Sequence, residues 1–191
     1  MVVTNPLALE EQVCFAVAVA ARSVVAVYRP LLEPMGLTHP QYLVMLALWE
    51  HDRLAVKDLS AMLKLDPGTL SPLVKRLQAQ GLVDRERDPK DERVLAITLT
   101  PAGRALRAEA EMVPGAIVEK LGMDVERLHA LRRDLAAVIA AAERQHAGRR
   151  TREDVWAIAG VALVSLGNAR DRGSGIAVDA LGDRDERHVA D

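Results

Sequence analysis

Apolar residues recur at helical spacing over most of this chain and switch to strand-like alternation in one short stretch. Leu9, Val13, Val17, Ala20, Val24, Val27 and Leu31 fall at steps of three and four, which predicts one long helix from Leu7 to Leu32, closed by Pro34 and Gly36. Thr38 is placed to cap a second helix, with Pro40 in its first turn and Tyr42, Leu43, Met45, Leu46 and Trp49 as an apolar belt. A third, short helix is predicted over roughly Val56 to Leu63. Asp66 then caps a fourth, with Pro67 at the first helical position, where its missing N–H is harmless. That helix runs to Gln80 and stops at Gly81, a residue suited to the left-handed turn after a helix. Leu82 to Arg87 and Arg93 to Leu99 read as strands around the turn formers Asp88-Pro89-Lys90-Asp91. Thr100-Pro101 repeats the cap-and-proline start and opens a fifth helix that meets Pro114-Gly115. A sixth, from Asp124 to about His146, sets Leu128, Leu131, Leu135, Val138 and Ala142 close to a heptad seam.

The predicted order is helix, helix, helix-turn-helix, hairpin, long helix, long helix: a mainly α chain with a small β-wing and no internal repeat. After Gly148 the pattern changes to a short apolar helix candidate, then a polar tail that supports no packed core. Composition agrees. Of 191 residues 50% are hydrophobic and only 3% aromatic, so the apolar content is mostly Ala, Val and Leu, which favours helices. The net charge of −2 gives no overall sign of a nucleic-acid partner. A small wing can still present a local basic edge, and non-specific DNA affinity is then expected to be modest and salt-sensitive. A single cysteine, Cys14, excludes an intramolecular disulfide. The opening MVVTNPLALEEQ lacks a basic leader region, so the chain is expected to be cytoplasmic. The longest apolar run, Val155 to Leu166, is too short to span a bilayer, and no membrane partner is expected.

The fourth helix carries the first candidate site. Leu70, Leu73, Val74 and Leu77 share one face and must pack inward, leaving Gly68, Thr69, Ser71, Pro72, Lys75 and Arg76 outside. Small and hydroxyl residues near its N-terminus suit close approach to base edges, whereas Lys75 and Arg76 are placed to meet phosphates. Pro72 removes the bond to the Gly68 carbonyl and should bend the helix. An ordinary amphipathic helix with a solvated polar face would rarely tolerate it. The hairpin adds Arg85, Arg87, Lys90 and Arg93, and arginines on such a wing can enter a minor groove. Asp91 is better read as a brace for the wing, whereas Arg93 fits either bracing or DNA contact.

The stretch AVKDLSAMLKLDPGTLSPLVKRLQAQGLVDRERDPKDERVLAITLTPAG resembles the MarR family of winged-helix regulators. The resemblance extends over about residues 7–146, and LEEQVCFAVAVAARSVVAVYRPLLEPMGLTHPQYLVMLALWE is similar to its organic-hydroperoxide-sensing branch. It implies a winged helix-turn-helix repressor that dimerises through its N- and C-terminal helices on a pseudo-palindromic double-stranded operator. Four segments follow: a dimerisation helix with the sensor cysteine (7–36), the DNA-binding domain (37–100), C-terminal dimerisation helices (101–147) and an accessory helix and tail (148–191).

A free cysteine in an apolar helix is most often an inert small hydrophobe. The resemblance gives Cys14 a different role, because the peroxide-reactive cysteine of that branch sits here. There, two tyrosines of the partner subunit bond the thiolate; one maps onto Tyr28, and the other onto His39, where this sequence departs from the pattern. Fourteen helical residues separate Cys14 from Tyr28 by about 21 Å, so the two can meet only between antiparallel subunits. Val13, Phe15 and Val17 would keep the thiol protonated, so hydrogen-bond donors are needed. His39 can serve as one, most strongly as an imidazolium, or can simply stand exposed ahead of Pro40. The expected signal chemistry is oxidation of Cys14 by organic hydroperoxide, followed by capping with a low-molecular-weight thiol.

The five histidines show no metal-ligand spacing with Cys14, and no phosphate-cradling glycine loop occurs, so neither metal nor cofactor nor catalytic residue is expected. Two alternatives stand beside the redox repressor. One is a regulator released by a small aromatic or phenolic ligand; the other is a thiol peroxidase using Cys14, which would lack a resolving cysteine and leave the winged unit unexplained.

Overall fold

The computed structural model describes residues 5–88 and 91–146, apart from the side chains of residues 88, 91–93 and 146. Lys90, the apolar run 155–166 and the tail lie outside the described residues, as do the side chains of Asp91 and Arg93. The chain forms α1 (Val13–Leu32), α2 (His39–His51), β1 (Arg53–Ala55), α3 (Val56–Leu63), α4 (Pro67–Ala79), β2 (Val83–Asp88), β3 (Asp91–Leu99), α5 (Pro101–Ala105), α6 (Arg107–Ala110), α7 (Val113–Leu121) and α8 (Val125–His146). This is a winged helix-turn-helix, mostly helical with one small antiparallel sheet.

The helices that begin at a clear cap lie where the residue pattern puts them. Asp66 accepts from the Thr69 N–H at 3.0 Å and starts α4; Gly81, at φ +72°, ends it as only glycine does without strain. Thr38 precedes α2, its N–H donating to Gln41 Oε1 at 3.0 Å.

Three expectations are corrected. Leu7 to Leu32 is not one helix: Leu9–Glu11 is a separate 3-10 turn, and Gln12 is extended at φ −85°, ψ 120°. The Ala8 carbonyl, which a continuous α-helix would offer to the Gln12 N–H, accepts instead from Glu11 N (3.2 Å) and from the Gln12 side-chain amide (3.2 Å). The predicted fifth helix is also broken, into α5 and α6, and Pro114 does not end a helix but lies in the first turn of α7. Near that break the Gly103 carbonyl accepts the Trp49 indole N–H at 2.8 Å, a side chain intruding on the helical ladder. Finally, β1 has no counterpart in the sequence reading. Three residues are too few to alternate, and β1 exists because Leu54 pairs with Ile97 of β3, far along the chain.

The sheet has the order β1-β3-β2, with Val83 opposite Leu99 and Arg85 opposite Ile97. Its inner face and helices α2–α4 enclose a core containing Met45, Leu48, Leu59, Leu70, Leu73, Leu77, Val83 and Ile97. At Gly103 a Cβ would lie 2.0 Å from the Leu82 carbonyl oxygen, so only glycine lets α5 pass this close to the α4–β2 turn.

The terminal helices are packed differently. Helix α1 lies against α2 and α7, yet Val13, Phe15 and Val17 remain exposed. On α8, Leu131, Leu135, Val138 and Ile139 are exposed too, and Glu143 pairs with Lys64 at the end of α3. Among the described residues α1 is a helix long and apolar enough to cross a membrane by length and composition, a test that core helices of soluble proteins also pass.

Candidate DNA-reading surface and thiol site

Helix α4 is amphipathic in the sense the sequence requires. Leu70, Leu73, Val74 and Leu77 are buried, while Gly68, Ser71, Pro72, Lys75 and Arg76 are exposed on the opposite side. Thr69 is half-buried and more committed than its sequence role implies. Its hydroxyl donates to Asp66 Oδ2 at 2.6 Å while its N–H binds Oδ1, leaving the hydroxyl oxygen only as an acceptor. That hydroxyl bond, ahead of the backbone amides around it, holds the Asp66 carboxyl below the usual carboxylate range. A Cβ on Gly68 would come within 2.9 Å of Asp66 Oδ1, so the residue there must be small for the cap to close. The outer face therefore offers a glycine, a serine and a proline at the N-terminal half, then two free-standing cations. Such a surface can approach base edges at one end and phosphates at the other.

On the wing, Arg85 is half-buried and Arg87 exposed along β2. A register shift at Arg87/Asp88 marks the approach to the tip. Arg93 falls within β3, while Lys90 belongs to the undescribed tip.

Cys14 stands exposed in the first turn of α1. Tyr28 lies fourteen residues along the same unbroken helix, about 21 Å away by helical rise, so the chain does not join the two itself. It does join Tyr28 to His39: their rings meet edge to face with centroids 5.1 Å apart. Both are half-buried. Burial pushes Tyr28 up and His39 down, so the neutral imidazole is favoured and the imidazolium expected to hold a thiolate is not. A neutral ring still carries one N–H to donate.

Sequence reasoning overlooked Tyr42. Taken as part of the apolar belt, it is buried, yet its ring also lies 6.0 Å from Tyr28 and 6.2 Å from Trp49. Burial first, then the neighbouring Tyr28, raises its phenol. Its spacing could not reveal this, because a tyrosine on a buried stripe looks like any other core residue. Beside it an open cleft is lined by Tyr42, Leu46, Trp49, Arg107, Glu111 and Pro114. Arg107 there is engaged, donating to the Trp49 carbonyl (3.2 Å) and pairing with Glu111 (3.3 Å). No cluster of His, Cys, Asp and Glu suited to a metal occurs among the described residues.

Comparison with known proteins places this geometry. The MarR family model matches residues 37–95. The HTH-type transcriptional regulator TtmR of Methylorubrum extorquens (strain PA1) is 45% identical over 134 residues, covering 70% of this chain and 69% of that protein. The organic hydroperoxide resistance transcriptional regulator of Bacillus subtilis (strain 168) is 42% identical over 123 residues, 63% of this chain and 84% of that protein. Among solved structures, reduced AbfR bound to DNA superposes with a TM-score of 0.59 at 32% identity, covering 70% of this chain and 94% of the other.

Proposed function

This chain belongs to the MarR family of DNA-binding transcriptional regulators, and from that premise we propose that it is a cytoplasmic homodimeric repressor that senses organic hydroperoxides through Cys14 and then releases its operator. The observation that supports the reading is the position of Tyr28 and His39 relative to Cys14. Tyr28 and His39, each able to donate one hydrogen bond, pack ring to ring and half-buried on one chain, and Tyr28 is out of reach of that chain's own Cys14. A second copy crossing α1 antiparallel would bring each cysteine to the other chain's pair. The exposed apolar residues beside Cys14 and along α8 supply the surface for that crossing.

The Cys14 thiolate attacks the distal oxygen of R–O–O–H, the O–O bond breaks, and the alkoxide leaves as alcohol after taking a proton. Cys14 becomes a sulfenic acid. A small thiol then displaces water from it and forms a mixed disulfide, which later reduction can reverse. With one cysteine in the chain, uncapped sulfenic acid would be oxidised further, and irreversibly. An adduct cannot fit a close-packed contact, so the first helices shift and carry the two α4 helices out of register with successive major grooves. Driving a dimer from mostly binding to mostly released needs about 5.5 kcal/mol, a plausible figure for a disrupted packed site and not for a surface adduct.

The test compares wild type with Cys14→Ser in operator binding before and after cumene hydroperoxide. The variant should bind and ignore the oxidant. Release of DNA by oxidised Cys14→Ser, or release of wild type by phenolic acids instead, would hand the function to the ligand cleft beside Tyr42.

A further inference from the structure

Two glutamines outside every site described so far tie the recognition helix to the sensor end of the chain. Gln41, in the first turn of α2, is 2% exposed. Its Oε1 accepts from Thr38 N (3.0 Å) and Thr38 Oγ1 (2.8 Å), and its Nε2 donates to Gln80 Oε1 at 3.1 Å. Gln80, the C-cap residue directly after α4, donates in turn from Nε2 to the Gly36 carbonyl at 2.8 Å. The direction of the chain is forced at both ends. The Thr38 N–H can only donate and the Gly36 carbonyl can only accept, so each amide has one orientation that satisfies all partners. Gly36 is left-handed at φ +67°, and His39 of the sensor pair lies between Thr38 and Gln41.

We infer that the Gln41–Gln80 amide relay is the positioning element through which movement at the α1–α2 junction sets the angle of α4 on DNA. The inference rests on the function proposed above. Helices α2 and α4 also pack through the apolar core to which Met45, Leu48, Leu73 and Leu77 belong, and apolar packing tolerates sliding because it has no direction. Hydrogen bonds do not tolerate it. Burial makes this relay sensitive in a second way: a buried amide donor that loses its acceptor is left unsatisfied, so Gln41 favours the one α4 position in which Gln80 meets it. When the first helices shift, Gly36 and Thr38 move with the end of α1, and Gln80 must follow or let go. Gln80 itself is exposed, so its side chain is held in place by these bonds and not by packing.

That exposure makes Gln80 the position to change. Gln80→Met keeps the length and removes both bonds; Gln80→Glu keeps the acceptor for Gln41 and loses the donor to Gly36. Operator affinity of the full-length protein is measured reduced and after cumene hydroperoxide, with Cys14 oxidation followed by intact mass. Reduced, Gln80→Met should still bind operator, a few-fold more weakly than wild type, because α4 keeps its apolar core but loses its directional tie, and Gln80→Glu should fall between. Oxidised to the same extent, wild type should lose affinity on the order of tenfold or more, Gln80→Met should lose far less, and Gln80→Glu should fall between. If wild type and Gln80→Met release equally, the relay is overturned and Cys14 sensing stands. If reduced Gln80→Met cannot bind, the relay is only structural and is likewise overturned. If fully oxidised wild type stays on DNA, the sensing reading fails and the relay with it.

Discussion

Two helices of this protein carry apolar stripes of similar strength and treat them in opposite ways. On α4, Leu70 and Leu77 are 0% exposed and Leu73 1%. On α8, Leu131, Leu135 and Val138 are 45%, 37% and 49% exposed. The first stripe meets a sheet and two helices of its own chain; among the described residues the second meets nothing comparable. The DNA-reading unit is thus packed against described residues of its own chain, whereas among those residues nothing covers the apolar stripe of α8. In the function proposed above, sensing and binding are coupled because the stable unit is hung on the incomplete one.

The sharpest way to break this contrast is a charge in the unfinished stripe. If a second copy covers α8, Leu135→Asp buries an unpaired carboxylate and weakens the dimer by several kcal/mol, about 3–5. Sedimentation should then find monomers that keep their helical circular dichroism. An unchanged dimer would mean that α8 is not the seam. In the finished unit the corresponding change is Leu73→Ala, expected to remove about 2–5 kcal/mol of folding stability while the protein remains dimeric below its melting point. Loss of the dimer instead of thermal stability would erase the distinction between the two regions. A smaller effect belongs to the N-cap of α4. Asp66→Ala should lower stability by about 1 kcal/mol and also weaken operator binding, since Thr69 loses its anchor; denaturant melts and titrations at one salt concentration measure both.

The smallest effect concerns pH at the junction of the two regions. Burial lowers the His39 pKa, so the unfolded chain binds a proton there more readily than the folded one. Stability from this group is therefore full above the ordinary histidine value, about 6.5, and declines as pH falls through the lower folded value. His39→Gln should flatten that acid slope. An unaltered slope would show that the histidine is not buried in solution.

Local chemistry made much of this legible from residues alone. The start of α4 at Asp66-Pro67, its end at Gly81, the helix over Val56–Leu63 and the two strands of the wing all follow from caps, turn formers and periodicity acting within a few residues. So do the exposed Lys75 and Arg76, because four buried positions at helical spacing leave them no other side. What the tertiary structure decided involves residues far apart in sequence. Strand β1 exists through Leu54 opposite Ile97, the break after α5 lies where the Trp49 indole reaches Gly103, and Pro114 opens a helix whose Val113 and Ile117 find a buried face. Likewise Tyr28 meets His39, and Gln80 meets Gln41 and Gly36, only because α1, α2 and α4 converge at one corner. Capping and periodicity are properties of neighbouring residues and can be read in order. A contact between distant side chains depends on where whole helices come to rest, and no local pattern of hydrophobic and polar positions records that.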